Sequence, residues 1–65
     1  MSEERLITPE DLSDRYSVPV GTIYAWRYKG TGPPGFRVGR HLRFRVEDIL
    51  AWESEQLRRE NGSRR

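Results

Sequence analysis

The sequence contains no cysteine, so disulfide bonds and thiolate metal ligands are excluded, and the chain fits a reducing cytosol. His41 is the only histidine, which leaves no second imidazole for a metal site and no nearby partner for a catalytic triad. No apolar run approaches the ~20 residues that span a bilayer, and no glycine-rich segment follows a nucleotide-binding pattern. These absences predict a protein that is not an enzyme and that uses no cofactor, metal, membrane or small-molecule ligand.

Acidic residues are also missing from the long segment 15–46, which holds seven of the twelve cations. These seven are Arg15, Arg27, Lys29, Arg37, Arg40, Arg43 and Arg45. The formal net charge of +2 conceals this segregation, because the acids lie before and after the segment. A positive field of this extent most commonly binds a phosphate backbone. A merely solubilising basic face is the alternative that charge alone leaves open.

The length of 65 residues indicates one small domain with a thin core. We expect residues 1–60 to form this domain and residues 61–65 to be a flexible basic tail. Apolar residues make up 34% of the chain, and two Trp, two Phe and three Tyr weight the core toward aromatic side chains. The chain has room for about three helices, or two helices and a hairpin, but not for a deep catalytic cleft.

Two short helices are predicted in the first half of the chain. Thr8 is a candidate cap, and Pro9 fits the first helical position of a helix over about 9–16. Pro19 then opens a second helix, whose connection to the first is only about three residues long. Gly30 suits a left-handed residue at the end of this helix. The short connection is typical of a helix-turn-helix.

A β-hairpin is predicted over residues 36–45, where apolar and basic residues alternate on both sides of Gly39-Arg40. We expect Phe36, Val38, Leu42 and Phe44 to share the core face. The side chains of Arg37, Arg43 and Arg45 are then expected on the other face, with Arg40 and His41 at the tip. A final helix is predicted to begin near Val46.

The predicted fold is mostly α with a small β-hairpin, in the order α-α-β-β-α of a winged helix-turn-helix. The residues assigned to the core are Leu12, Ile23, Trp26, Phe44, Leu50 and Trp52. A helix of this kind fits the major groove of DNA, and a narrow arginine-bearing hairpin suits the neighbouring minor groove. The sequence therefore predicts DNA binding through two elements.

The candidate contact residues fall into two groups. On the recognition helix they are Val20, Gly21, Thr22, Tyr24, Arg27, Tyr28 and Lys29, and on the wing they are Arg37, Gly39, Arg40, His41 and Arg43. Arg27 is the best candidate for bidentate reading of a guanine, with a phosphate contact as the open alternative. Partial packing against the wing is the alternative for Tyr24 and Tyr28. Arg45 is the weaker wing candidate, because Glu47 or Asp48 can pair with it.

Four segments together resemble the excisionase-like branch of the MerR-type winged helix-turn-helix domains, including those of mycobacteriophage excisionases. They are LITPEDL at 6–12, VPVGTIYAW at 18–26, GFRVGRHLRF at 35–44 and EDILAW at 47–52. Pro19 departs from the polar cap of many relatives, which makes Ser17 or backbone amides the expected phosphate anchor there.

The resemblance implies a recombination directionality factor of a phage, acting on double-stranded DNA in the cytoplasm of a bacterial host. Such proteins bind repeated sites, often cooperatively and side by side, bend DNA, and help an integrase to excise a prophage. A small transcriptional regulator with the same DNA-binding domain is one alternative. A protein-interaction adaptor, whose basic surface binds an acidic partner, is the alternative of another class.

Overall fold

The computed structural model describes residues 5–62, which form three helices and a three-stranded antiparallel sheet. In chain order the elements are β1 (Leu6–Ile7), α1 (Pro9–Tyr16), α2 (Val20–Lys29), β2 (Phe36–Val38), β3 (His41–Arg45) and α3 (Val46–Gly62). The predicted mostly α architecture and the order of the helices and hairpin are confirmed. The short strand β1 was not predicted. The predicted tail 61–65 overlaps the end of α3, and residues 63–65 lie outside the described part of the chain.

Helix α1 begins and ends through local hydrogen bonds. The Thr8 hydroxyl accepts from the Asp11 amide at 2.9 Å, and the Asp11 carboxylate accepts from the Thr8 amide at 3.0 Å. This capping box satisfies two helix-start donors. It also lowers the pKa of Asp11, chiefly through the bond from the Thr8 backbone. At the other end Ser17 is left-handed (φ 57°), and the Ser13 hydroxyl donates to the Val18 carbonyl at 2.6 Å.

Helix α2 follows after a turn of three residues, as predicted. Pro19 is in extended backbone and makes no side-chain capping bond, although its carbonyl accepts from the Thr22 amide at 2.9 Å. Gly30 ends the helix in a left-handed conformation (φ 75°), which confirms its predicted role. The Thr31 amide then donates to the Trp26 carbonyl at 2.9 Å. These bonds fix the angle at which the chain leaves α2 toward the hairpin.

The register of the sheet overturns one prediction. Strand β3 is central and pairs with β1 on one side and β2 on the other, with Phe36 opposite Arg43 and Val38 opposite His41. Directly opposed residues of antiparallel strands project from the same face. Phe36 and Val38 therefore lie on the outer face, at 39% and 48% exposure. The prediction that they share the core face with Leu42 and Phe44 is wrong.

The cause is the length of the turn. A turn of two residues, Gly39 and Arg40, places position 38 opposite position 41. Val38 and His41 therefore share one face of the hairpin, although one is apolar and the other polar. The apolar residues of β2 thus lie on the opposite face from those of β3. Leu42 and Phe44 are 7% and 1% exposed, and they alone of the hairpin's four apolar residues enter the core.

The core is small and joins all the main elements of the described chain. Its buried members are Leu12, Ile23, Leu42, Phe44 and Ile49. Leu50 was assigned to the core, but it is 49% exposed. Ile49 takes that place, because adjacent helical residues project about 100° apart. The predicted core contacts of Leu12, Ile23 and Phe44 are confirmed.

An aromatic cluster extends the core toward the end of α3. The rings of Tyr16, Trp26 and Trp52 lie with centroids 5.6–6.0 Å apart in tilted arrangements. All three side chains are half-buried. Aromatic pairs in this range contribute about 0.5–1.5 kcal/mol beyond area burial. The cluster thus ties α1, α2 and α3 together, and it places the two tryptophans at the edge of the core.

A carboxylate bridges α1 and α3 beside this cluster. Glu53 accepts from Arg15 Nε at 2.5 Å and Arg15 Nη2 at 2.8 Å, and also from the Tyr16 hydroxyl at 2.6 Å. The pKa of Glu53 is lowered, first by the Arg15 hydrogen bond, whereas burial is the main cause that raises the pKa of Tyr16. Arg15, one of the seven cations of the acid-free segment, is therefore paired with a carboxylate of the protein itself.

Acid is expected to destabilise the fold partly through Glu53. A carboxyl whose pKa is depressed on folding stabilises the protein above its unfolded pKa, and this contribution disappears as pH falls through the folded value. The melting temperature should thus fall once pH drops below about 4.5, the ordinary pKa of the group. We expect a smaller fall in Glu53→Gln, measured by thermal melts from pH 7 to pH 2.

Glu47→Gln is the matched control for this experiment. It removes the ion pair between Glu47 and Arg45, which is longer, at 3.4 Å, and more exposed. The acid dependence of its melting temperature should be nearly that of the wild type. Equal acid dependence in wild type and Glu53→Gln would show that the Arg15 bridge does not couple folding to pH. Asp11 and Glu55, whose pKa values are also lowered, account for the residual fall.

Candidate nucleic-acid interface

The outer side of α2 presents a stripe of small and aromatic side chains. Gly21, Tyr24, Ala25 and Tyr28 are exposed, while Val20 and Thr22 are half-buried. Tyr24 is 48% exposed and Tyr28 is 91% exposed. Tyr28 therefore does not pack against the wing, which excludes that alternative for it. The two tyrosines lie one helical turn apart and offer hydroxyl groups to an external partner.

A cleft of about 670 Å³ lies between α2 and the hairpin. Its lining residues are Gly21, Tyr24, Ala25, Arg27, Tyr28 and Arg37. Arg37 pairs with Leu42 in the sheet register and so projects from the core-facing side of the hairpin, toward α2. The prediction that Arg37 shares the outer face with Arg43 and Arg45 is wrong, because the two-residue turn sets the strands in antiphase.

Arg27 is held at the wall of this cleft. Its Nη1 donates to the Gly35 carbonyl at 3.1 Å, which links α2 to the segment that enters β2. A guanidinium has five N–H donors, so this single bond leaves most of them available. The reading of a guanine by Arg27 stays a prediction, and the bond to Gly35 adds a positioning role that the sequence did not indicate.

The tip of the hairpin is formed by Gly39 and Arg40, between the paired residues Val38 and His41. Gly39 has a φ of 67°, a conformation that favours glycine, and in the described part of the chain no atom lies within 4 Å of the position of a Cβ. The backbone conformation, rather than space, is therefore what requires glycine here. Gly39, Arg40 and His41 are all exposed, and they form the free end of the wing.

Residues 6–57 match a family model described as a helix-turn-helix domain. The chain belongs to this helix-turn-helix family. It is therefore a DNA-binding helix-turn-helix protein, in a family that includes excisionase-like proteins. No curated protein and no solved structure matches the chain.

The cations of this helix-turn-helix protein divide by whether a carboxylate of the chain pairs with them. Arg15 binds Glu53, and Arg45 pairs with Glu47 at 3.4 Å, as predicted. Within residues 5–62, no carboxylate pairs with Arg27, Lys29, Arg37 or Arg40. These four are the exposed cations of the acid-free segment 15–46 without such a pair; we call them the open cations, and they lie on α2 and the wing. Their charges lie on the two elements predicted to contact DNA, and they are available to an external anion.

Arg43 differs from the other wing cations of the helix-turn-helix protein. It is half-buried on the outer face of the sheet, and its Nη1 donates to the Leu42 carbonyl at 2.7 Å. Its charge is also among the smaller causes that lower the pKa of Asp11. The sequence placed Arg43 beside Arg37, whereas the register puts the two side chains on opposite faces of the hairpin. Its contact with DNA stays a prediction.

Other kinds of site find no support in the described part of the helix-turn-helix protein. Among residues 5–62, no group of three or more His, Cys, Asp or Glu side chains could hold a metal ion. In the same residues, no helix is both long and apolar enough to cross a membrane.

Proposed function

We propose that this helix-turn-helix protein is a phage excisionase, a recombination directionality factor that promotes integrase-mediated excision. The observation that carries the proposal is the location of the open cations on α2 and the wing, with Arg27 and Arg37 lining one cleft. The resemblance of residues 6–53 to excisionase-like domains supports the finer assignment. The protein would act in the cytoplasm of a bacterial host.

In this proposal α2 enters the major groove and the wing enters an adjacent minor groove. The absence of a side chain at Gly21 and the small methyl group of Ala25 let the helix approach closely, and the hydroxyls of Tyr24 and Tyr28 serve as donors or acceptors. Arg40 at the tip suits the negative potential of a narrow minor groove. A protein that contacts two adjacent grooves at once can make more contacts if the duplex between them bends.

The partners in this proposal are double-stranded DNA, an integrase and further copies of the chain on adjacent repeated sites. Exposed apolar side chains on the outer face of the sheet, Phe36 and Val38, are available for side-by-side contacts. Bound copies would then form an array in which each bends its own site. Directionality would follow from stabilising the DNA geometry that the integrase needs for excision.

The test combines three measurements on DNA that carries the attachment sites of the prophage. Gel shifts at low salt are expected to show binding that becomes cooperative on repeated sites. Circularly permuted fragments should migrate differently, as bent DNA does, and added protein should raise excision by the cognate integrase. Binding without bending or excision would favour a transcriptional regulator. Absence of binding at low salt would contradict DNA recognition and favour an adaptor with an acidic partner.

A further inference from the structure

We propose that the cleft between α2 and the wing binds one backbone phosphate of the duplex through Arg37 and Arg27. The inference rests on the proposed function, since it specifies how the helix-turn-helix protein contacts DNA. It assigns a position-determining role to Arg37, which lies across the cleft from the outer face of α2. The phosphate would belong to the strand that passes between the two grooves.

The first support is the chemistry of the cleft lining. Two guanidinium groups from different elements, Arg27 from α2 and Arg37 from β2, line it together with the phenols of Tyr24 and Tyr28. None of the carboxylates within residues 5–62 lines it. Guanidinium forks match phosphate geometry and form charge-assisted hydrogen bonds, and a phenol can add a further donor. The two guanidinium groups of this lining favour an oxyanion over a cation.

The second support is that close packing within the protein holds the backbone beside the cleft in place without a ligand. The segment entering β2 lies so close to its neighbours that a Cβ on Gly35 would be 2.7 Å from Phe44 Cε2. A Cβ on Gly32 would be 2.8 Å from Trp26 Cβ. With the Arg27–Gly35 bond, these close approaches hold the segment before β2 against α2 and β3. A binding surface whose backbone is already held in place loses less freedom when it binds, which favours affinity.

The third support is Gly21, which lines the cleft from the first turn of α2. Glycine lowers helix stability relative to alanine, and packing does not require it here, because a Cβ would meet no atom of residues 5–62 within 4 Å. Its φ also lies outside the left-handed region. The missing side chain leaves space for a group from outside the protein, which is what close approach of a DNA backbone needs.

The first experiment substitutes single phosphates of a bound site with neutral methylphosphonates and compares wild type with Arg37→Ala. One central position should weaken wild-type binding by at least about tenfold, and the same substitution should have almost no effect on Arg37→Ala. Arg45→Ala is the control, because Arg45 lies on the outer face and pairs with Glu47. It should keep the wild-type sensitivity. The same sensitivity in Arg37→Ala and wild type would overturn the inference.

The second experiment uses Gly21→Ala, which does not threaten the fold. Its melting temperature should equal or exceed that of the wild type, while its affinity for DNA should fall on the order of tenfold. Unchanged affinity would overturn the inference. Both experiments begin from a wild-type protein that binds DNA, so failure of DNA recognition appears as no binding at all, and failure of the excisionase role appears as binding without bending or excision. Failure of the cleft alone appears as binding without the Arg37 and Gly21 effects.

Discussion

Replacement of Phe44 by alanine is expected to abolish cooperative folding, whereas the same replacement of Phe36 leaves the fold intact. Phe44 is 1% exposed in the core, and truncation of a buried phenylalanine costs about 3–5 kcal/mol. A domain of this size has a total stability of about 3–5 kcal/mol. Phe36 is 39% exposed on the outer face of the sheet, and its truncation should cost about 1 kcal/mol or less.

Urea titrations followed by circular dichroism and tryptophan fluorescence measure this difference. The two variants remove the same atoms from neighbouring strands, so each is the control for the other. Phe36→Ala should unfold in one transition at a slightly lower midpoint, whereas Phe44→Ala should lack a native baseline. Equal destabilisation by the two variants would mean that both rings enter the core, contrary to the register described above.

The helices were predictable because their ends are set by local chemistry. Thr8, Pro9 and Gly30 act within a few residues of where they stand, and each has the role that its type and position indicated. The residues on each face of the hairpin could also have been predicted from the sequence. A two-residue turn at Gly39 and Arg40 already implies that positions 38 and 41 share a face. The prediction failed because it followed the apolar pattern instead of the pairing that the turn imposes.

Contacts between distant residues were not predictable in the same way. The Arg15–Glu53 bridge joins residues 38 positions apart, and no local pattern marks either partner. Strand β1 has only two residues, too few for a periodic signal, and its pairing depends on where β3 lies. The bond from Arg27 to the Gly35 carbonyl likewise depends on how the loop packs. A cation's place in the sequence therefore indicated its element but not its partner.

This limit changes how the acid-free segment is understood. Its charge is not spread evenly over one surface, because Arg15 and Arg45 are paired within the protein and Arg43 is half-buried. The open cations are concentrated on α2 and the wing. The interface predicted from charge thus shrinks to a smaller area on α2 and the wing, which includes the cleft lined by Arg27 and Arg37. Binding should therefore depend on which cations are removed more than on the net charge of the chain.

Removal of two wing cations is expected to weaken DNA binding far more than removal of two cations from α3. The double variant Arg37→Ala/Arg40→Ala should lose affinity on the order of 100-fold near physiological salt. Each lost phosphate contact also reduces the slope of log K against log salt by about 0.9. The slope should therefore become shallower by about 2. Gel shifts or fluorescence anisotropy from 50 to 300 mM salt, roughly the range over which such slopes are measured, provide both values.

Arg58→Ala/Arg59→Ala is the matched control, because it removes the same total charge from α3. Both arginines already pair with Glu55, at 2.5 Å and 3.5 Å, and both are exposed. Their removal should change the salt slope little, since these cations do not replace counterions on DNA. Equal losses in the two double variants would mean that overall charge, rather than the geometry of α2 and the wing, determines affinity. A shallower slope in the wing variant alone would instead identify the hairpin as a phosphate-contacting element of the helix-turn-helix protein.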